Sequence, residues 1–497
     1  VKTAVFLAVL VLILCEGVGT AAQKLMKIQS FGFSAPIGFA VLLTILELGY
    51  FPAQLAELPF MWNAVVTGLV LFLALGLTIW QFKEVFRKLF RWRTLVVIAY
   101  TAFFVLTLVK RMGGTDIAII QDTESIRFQG YYSFTAVFNY FITKLNPVLN
   151  ANALYLTYFE EALYYALTAM LVVNIVFSFH LRNKWLALCI AVFLLFSGNF
   201  TTTFASSGEL FRIFFVTLTV FTMYSYLKEG NEQIKYLILF TISAGMVCSK
   251  PFIFLAVEML YVFVVYLFSI RKIRSLFDTL TFVIPLVFYA FLYLCPKYPF
   301  LAWAILIFYG WYLTYRYRKK PRRFIARSEE FCFDHAIKIF FIIVPVVLTV
   351  LSVILRLVLP EGTVSYLDYF KAYPVTDTVA DQLFLHSDLL GILVTALRWA
   401  GVVAVIALSK TKEDRFIRTL MILMLVVFLN PLTVIALSQG MTGSLYYRGF
   451  EILFNPMTLM LILAYIYKFL EWQTFWQWVL EFFLLFDAWM MIYPIIF

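Results

Sequence analysis

Apolar runs of roughly twenty residues recur along almost the whole chain, each closed by a short charged or Gly- and Pro-containing break. That is the length an α-helix needs to cross a bilayer core of about 30 Å. The runs place spans at 3–22, 33–53, 60–82, 94–110, 151–179, 185–199, 209–227, 234–249, 252–270, 275–294, 299–315, 339–359, 388–409, 417–437, 447–467 and 472–495. The pattern predicts an all-α, polytopic membrane bundle of about 14–16 transmembrane helices with short helical loops between them. No polar stretch is long enough to bury a soluble core of its own. Residues 1–93 read as N-terminal transmembrane helices, and 94–497 as the unit that carries two larger loops, 111–150 and 360–387. The first run reads as a retained helix rather than a cleaved leader, because its basic flank is Lys2 alone.

Charge adds sidedness. The net charge is +11, but the basic residues are scattered through short loops, which excludes a nucleic-acid surface and suits membrane orientation. With the loop of Lys83, Arg87, Lys88, Arg91 and Arg93 placed inside, that side holds 27 of the 39 basic residues and the opposite loops hold 7. The two larger loops then face outward, while the run 316–327 faces inward and reads as an anchor against anionic lipid. A multi-pass membrane protein with its working face outside the cytoplasm is expected. The five cysteines show no CxxC, and His180, His335 and His386 stand apart, so neither a zinc site nor a histidine metal site is indicated. There is no internal repeat of the kind that marks many transporters.

Five cations remain, Arg212, Lys250, Arg356, Arg398 and Arg448, each inside or at the edge of an apolar span. A cation there costs several kcal/mol unless it is paired or faces a polar cavity. Pairing with Glu160, Glu161, Glu209 or Glu451 is one reading, and snorkelling to the interface another. A third is an anionic headgroup such as a lipid phosphate, which guanidinium groups bind in bidentate fashion; Arg448, with Tyr447 beside it, and Arg212 lead this set. In the outer loop, Asp116, Asp122 and Glu124 follow the 94–110 span closely. In most loops such acids only keep the chain polar or make Asx turns, for which GGTD is well suited.

The order of basic inner loop, helix, outer segment with Asp116, then Tyr131 to Lys144 and a further helix resembles the first outer loop of the GT-C class of membrane glycosyltransferases. The stretch LYYRGFEILFNPMTLMLILAY at 445–465 is similar to a late helix start in a bacterial multi-pass family of the same plan. The resemblance implies a polyprenyl-phosphate-linked sugar as donor, a glycan, lipid or protein of the cell envelope as acceptor, and inverting transfer. Asp116, or as second choice Asp122, would take the proton from the acceptor hydroxyl, and Arg448, Arg212 or Lys250 would steady the phosphate that leaves. The acidic loop residues also offer oxygen ligands to Mg or Mn. The chain departs from the family's acidic pair, since Thr115 precedes Asp116 and the next acid is Asp122. A lipid-linked oligosaccharide polymerase or ligase, leaning on Arg356 and His386, and a flippase, leaning on Arg398 and Pro345, are the competing expectations.

Overall fold

A computed structural model describes residues 2–28, 31–56, 58–59, 61–111, 154–196, 209–248, 284–295, 298–316, 327, 331, 335, 338–358, 389–428, 430, 432–433, 436, 455–470 and 474–496. Among them every regular element is helical: α1 Lys2–Leu25, α2 Ala35–Leu55, α3 Met61–Trp80, α4 Phe82–Leu89, α5 Arg93–Arg111, α6 Leu154–Ser178, α7 Lys184–Phe196, α8 Glu209–Glu229 and α9 Ile234–Cys248. These are followed by α10 Ile284–Leu294, α11 Pro299–Arg316, α12 Val344–Val358, α13 Leu389–Leu408, α14 Lys412–Leu423, α15 Pro456–Leu470 and α16 Thr474–Ile496. Among the described residues four segments are long and apolar enough to cross a membrane, Ala4–Leu25, Met61–Trp80, Phe159–Ser178 and Phe341–Val358. A fifth is added if α4 and α5, bent by 71° at their junction, count as one broken span. By length and composition the chain is a helical membrane protein. The expected span at 252–270 lies outside the described residues.

The chain divides into two compact units. The first comprises residues 1–226, 230–250 and 470–497. Here α1 packs on α2, α3 and α6, while α6 also packs on α5, α2 on α9, and the C-terminal α16 on α7. Backbones come close where glycine permits it: a Cβ on Gly38 of α2 would fall 1.8 Å from the Cys15 carbonyl oxygen of α1, and one on Gly19 2.0 Å from that of Ser34. Small residues allow such crossings in apolar surroundings, where close packing replaces the hydrophobic drive between helices. At the far side, Asn183 Nδ2 donates to Glu481 Oε1 of α16 at 3.1 Å.

The second unit comprises 227–229 and 251–469. A π-helical turn, Ile339–Ile343, runs directly into α12, and Pro345, which has no N–H to give, follows that turn within one continuous helical run. Pro345 thus lies inside the candidate span Phe341–Val358, next to a π-helical turn. Gly401 of α13 meets Ile462 of α15, and Tyr465 of α15 donates to Asp414 Oδ2 of α14 at 2.8 Å.

Candidate functional site

A network of buried polar side chains in the first unit gathers where α1, α2, α4 and α6 meet. Glu16 interrupts the apolar run of α1 and is fully buried. Its carboxylate accepts from Ser34 N–H at 2.9 and 2.8 Å and from Ala35 N–H at 2.7 Å, the first donors of α2. An anion at that position satisfies amides that have no partner within the helix and also meets the positive end of the helix dipole. Ser34 cannot leave this place without exposing α2's first turn.

Lys88 enters from α4. Its ammonium donates to Ser34 Oγ, to Gln23 Oε1 at 2.9 Å and to Thr20 Oγ1 at 3.3 Å, which uses its three protons, and it lies 3.9 Å from Glu16 Oε1. Desolvation holds this ammonium below the ordinary lysine range, and the nearby Glu16 opposes that shift. Ser34 Oγ in turn donates to Gln23 Oε1 at 2.8 Å. From the other side Asn174 of α6 pairs with the backbone of Phe33 as another peptide would, accepting from its N–H at 2.8 Å and donating to its carbonyl at 2.7 Å. Arg93 lies over the Phe177 ring at 3.7 Å. The network holds the Ser34 hydroxyl between the Lys88 ammonium, Gln23 and Thr20. Its chemistry is that of a clamp that fixes the α1–α2 turn to α4 and α6.

The opposite end of the α5–α6 pair is different. Arg93 meets Phe177, and eleven residues on, Phe104 stacks on Tyr165 at 4.4 Å, so the two helices run antiparallel. The last residues of α5 and the first of α6 therefore lie at one end of the pair. That end of α6 carries Glu160 and Glu161, both buried, with Glu161 hydrogen-bonded to Tyr165. Tyr100, Phe104, Tyr164, Tyr165 and Phe196 form an aromatic wall beside them, and Tyr100 OH donates to the Leu195 carbonyl at 3.2 Å.

Of the residues singled out by sequence, Asp116, Asp122, Glu124, Lys250, Tyr447 and Arg448 lie outside the described residues. Arg212 falls in the first turn of α8, in the first unit. Arg356 and Arg398 belong to the second: Arg356 is exposed in the last turn of α12, and Arg398 is half-buried near the middle of α13. Among the described residues no group of three or more His, Cys, Asp or Glu side chains could hold a metal ion. Sequence reasoning missed Glu16, Gln23, Ser34 and Asn174, and it counted Lys88 only as an orienting charge. The usable signal was Glu16 itself, a carboxylate in the middle of LILCEGVG, since an ionisable group at that depth needs a partner. Comparison with protein-family models, with curated proteins and with solved structures finds no match to this chain.

Proposed function

We propose that the protein is a multi-pass membrane glycosyltransferase of a bacterial cytoplasmic membrane. It moves a sugar from a polyprenyl-phosphate donor to a cell-envelope glycan, lipid or protein on the extracytoplasmic face. The observation that carries the reading is the antiparallel α5–α6 pair, whose shared end brackets residues 112–153 and bears the buried acids Glu160 and Glu161. Asp116 follows the last residue of α5 by five positions, so the chain has little freedom to carry it far from that end. The lipid carrier keeps the anomeric carbon at the membrane surface, where such a base has to stand.

In this reading Asp116 removes the acceptor proton as the hydroxyl attacks, with Asp122 and Glu124 orienting the loop. Arg212 and Lys250 stabilise the charge that grows on the leaving phosphate. Sidedness follows from the 27-to-7 split of basic residues. A flippase is the second reading, favoured by one observation: Arg398, half-buried, sits near mid-helix in α13, where a transported headgroup would pass.

The test is transfer of a radiolabelled sugar from a polyprenyl-phosphate donor by purified protein in proteoliposomes. Asp116→Asn is expected to lower the rate at least a hundredfold at unchanged expression, because it removes the base and keeps the size. Movement of donor across the bilayer with no transfer would decide for the flippase. Undiminished transfer by both Asp116→Asn and Asp122→Asn would take this loop out of the chemistry.

A further inference from the structure

The short helix α4 has three unlike sides. Phe82, Phe86 and Phe90 recur every fourth residue, are exposed, and stand in file with ring centroids 6.0 and 4.1 Å apart. Lys83, Arg87 and Arg91 make the adjoining stripe, also exposed. Val85 and Lys88 face inward, Lys88 into the clamp around Ser34. Trp80 and Trp92, both exposed, flank the helix, and Lys24 at the end of α1 stands 5.2 Å over the Trp80 ring.

An aromatic face bordered by cations is what a helix needs to lie in the plane of a membrane interface, with its rings among acyl chains and its charges among headgroups. The position agrees. α4 joins the end of one candidate span, α3, to the start of α5, from which it is bent by 71°, and tryptophans mark the same level. The phenylalanines would suit any bilayer; the cations would not. Glu84 takes Arg87 in an ion pair, whereas Lys83 and Arg91 have no acidic partner among the described residues.

We propose that α4 is a binding site for anionic phospholipid, with the phosphodiester headgroup held by Lys83 and Arg91 and the acyl chains packed along Phe82, Phe86 and Phe90. Arg87, neutralised by Glu84, contributes less. Because Lys88 ties the inner side of α4 to Ser34 and Gln23, a lipid seated here bears on the junction of α1 and α2. The proposal is independent of the enzymatic reading, since it concerns lipid binding alone.

The full chain, purified in mild detergent, would be titrated with dioleoylphosphatidylglycerol and with dioleoylphosphatidylcholine, and bound lipid counted by native mass spectrometry. Phosphatidylglycerol is expected to bind more tightly. A surface cation contributes about fivefold in affinity for anionic lipid, so the double variant K83Q/R91Q should reduce the preference about tenfold or more and leave phosphatidylcholine unaffected. Both residues are exposed, and an unchanged detergent-unfolding midpoint would verify the fold. Phe86→Ser should weaken both lipids alike. Equal affinity of the unaltered protein for the two lipids would overturn the proposal, as would a double variant that keeps its full preference, which would move the site to another basic segment such as 316–327.

Discussion

Two spans of similar length, Phe159–Ser178 in α6 and Phe341–Val358 around α12, differ in almost everything but their ability to cross a membrane. Of the first, 89% is buried within the protein, and of the second, 11%. The buried helix carries Glu160, Glu161 and Asn174, all buried, and Asn174 pairs with the backbone of Phe33. The exposed one offers Val346, Val347, Val350, Val353, Ile354 and Leu357 to its surroundings and keeps its single ionisable residue, Arg356, in the last turn. A helix wrapped by other helices can hold carboxylates and amides because protein groups replace the water they lose. A helix that faces lipid has no such replacement, and its outward face is reduced to apolar side chains with its charge at the end. Of the two helices, α6 is the one that can keep ionisable groups away from water.

The sharpest way to break this contrast is to remove a partner inside the clamp. Glu16→Ala would leave the Ser34 and Ala35 amides without an acceptor and Lys88 as a buried cation without its counter-charge. Loss of one member of a buried pair costs about 3–5 kcal/mol. The variant should unfold at much lower denaturant in SDS titration of mixed micelles, and the double variant Glu16→Gln, Lys88→Met should recover part of the loss. A stability unchanged by Glu16→Ala would mean that water reaches the cluster and that α1 is not buried there. A smaller but cleaner contrast compares apolar truncations. Leu167 of α6 is wholly buried, so Leu167→Ala should cost about 2–5 kcal/mol through the cavity it leaves. Val350 of α12 is exposed, and Val350→Ala should stay within about 0.5 kcal/mol in the same titration. Equal effects would show that the outward face of α12 is covered.

Much of the helical plan was legible, because a run of about twenty apolar residues has few alternatives: the expected spans 3–22, 33–53 and 60–82 fall on α1, α2 and α3. Burial was not legible. Both α6 and α12 read as apolar runs, and hydropathy does not say whether neighbours or lipid surround a helix. α4 was passed over because KEVFRKLFRWR reads as a basic loop when its charges are only counted; the four-residue repeat of Phe82, Phe86 and Phe90 was the sign that it is helical. The clamp was hidden for a related reason. Ser34 and Asn174 are ordinary polar residues in sequence, and only the crossing of α1, α2 and α6 makes them the acceptors and donors of one turn. Asp116 and its loop rest on position along the chain and on resemblance.

A smaller loss than that of the α6 truncation belongs to the one buried polar residue that α12 has among those described. Ser352 is inward-facing on a helix whose neighbours Leu351 and Val353 are exposed, and its hydroxyl accepts from the Ala436 N–H at 3.0 Å. Ser352→Ala removes that acceptor and leaves a backbone donor buried in apolar surroundings, while taking away too little volume to open a cavity. A net loss of about 1 kcal/mol is expected, the usual worth of a single neutral hydrogen bond. Ser352→Thr keeps the hydroxyl and should restore most of it if the extra methyl finds room. SDS titration of the two variants separates the hydrogen bond from packing: a loss in the alanine variant alone ties α12 to the segment of Ala436, whereas equal stability of all three proteins would leave α12 held by apolar contact only and its contrast with α6 complete.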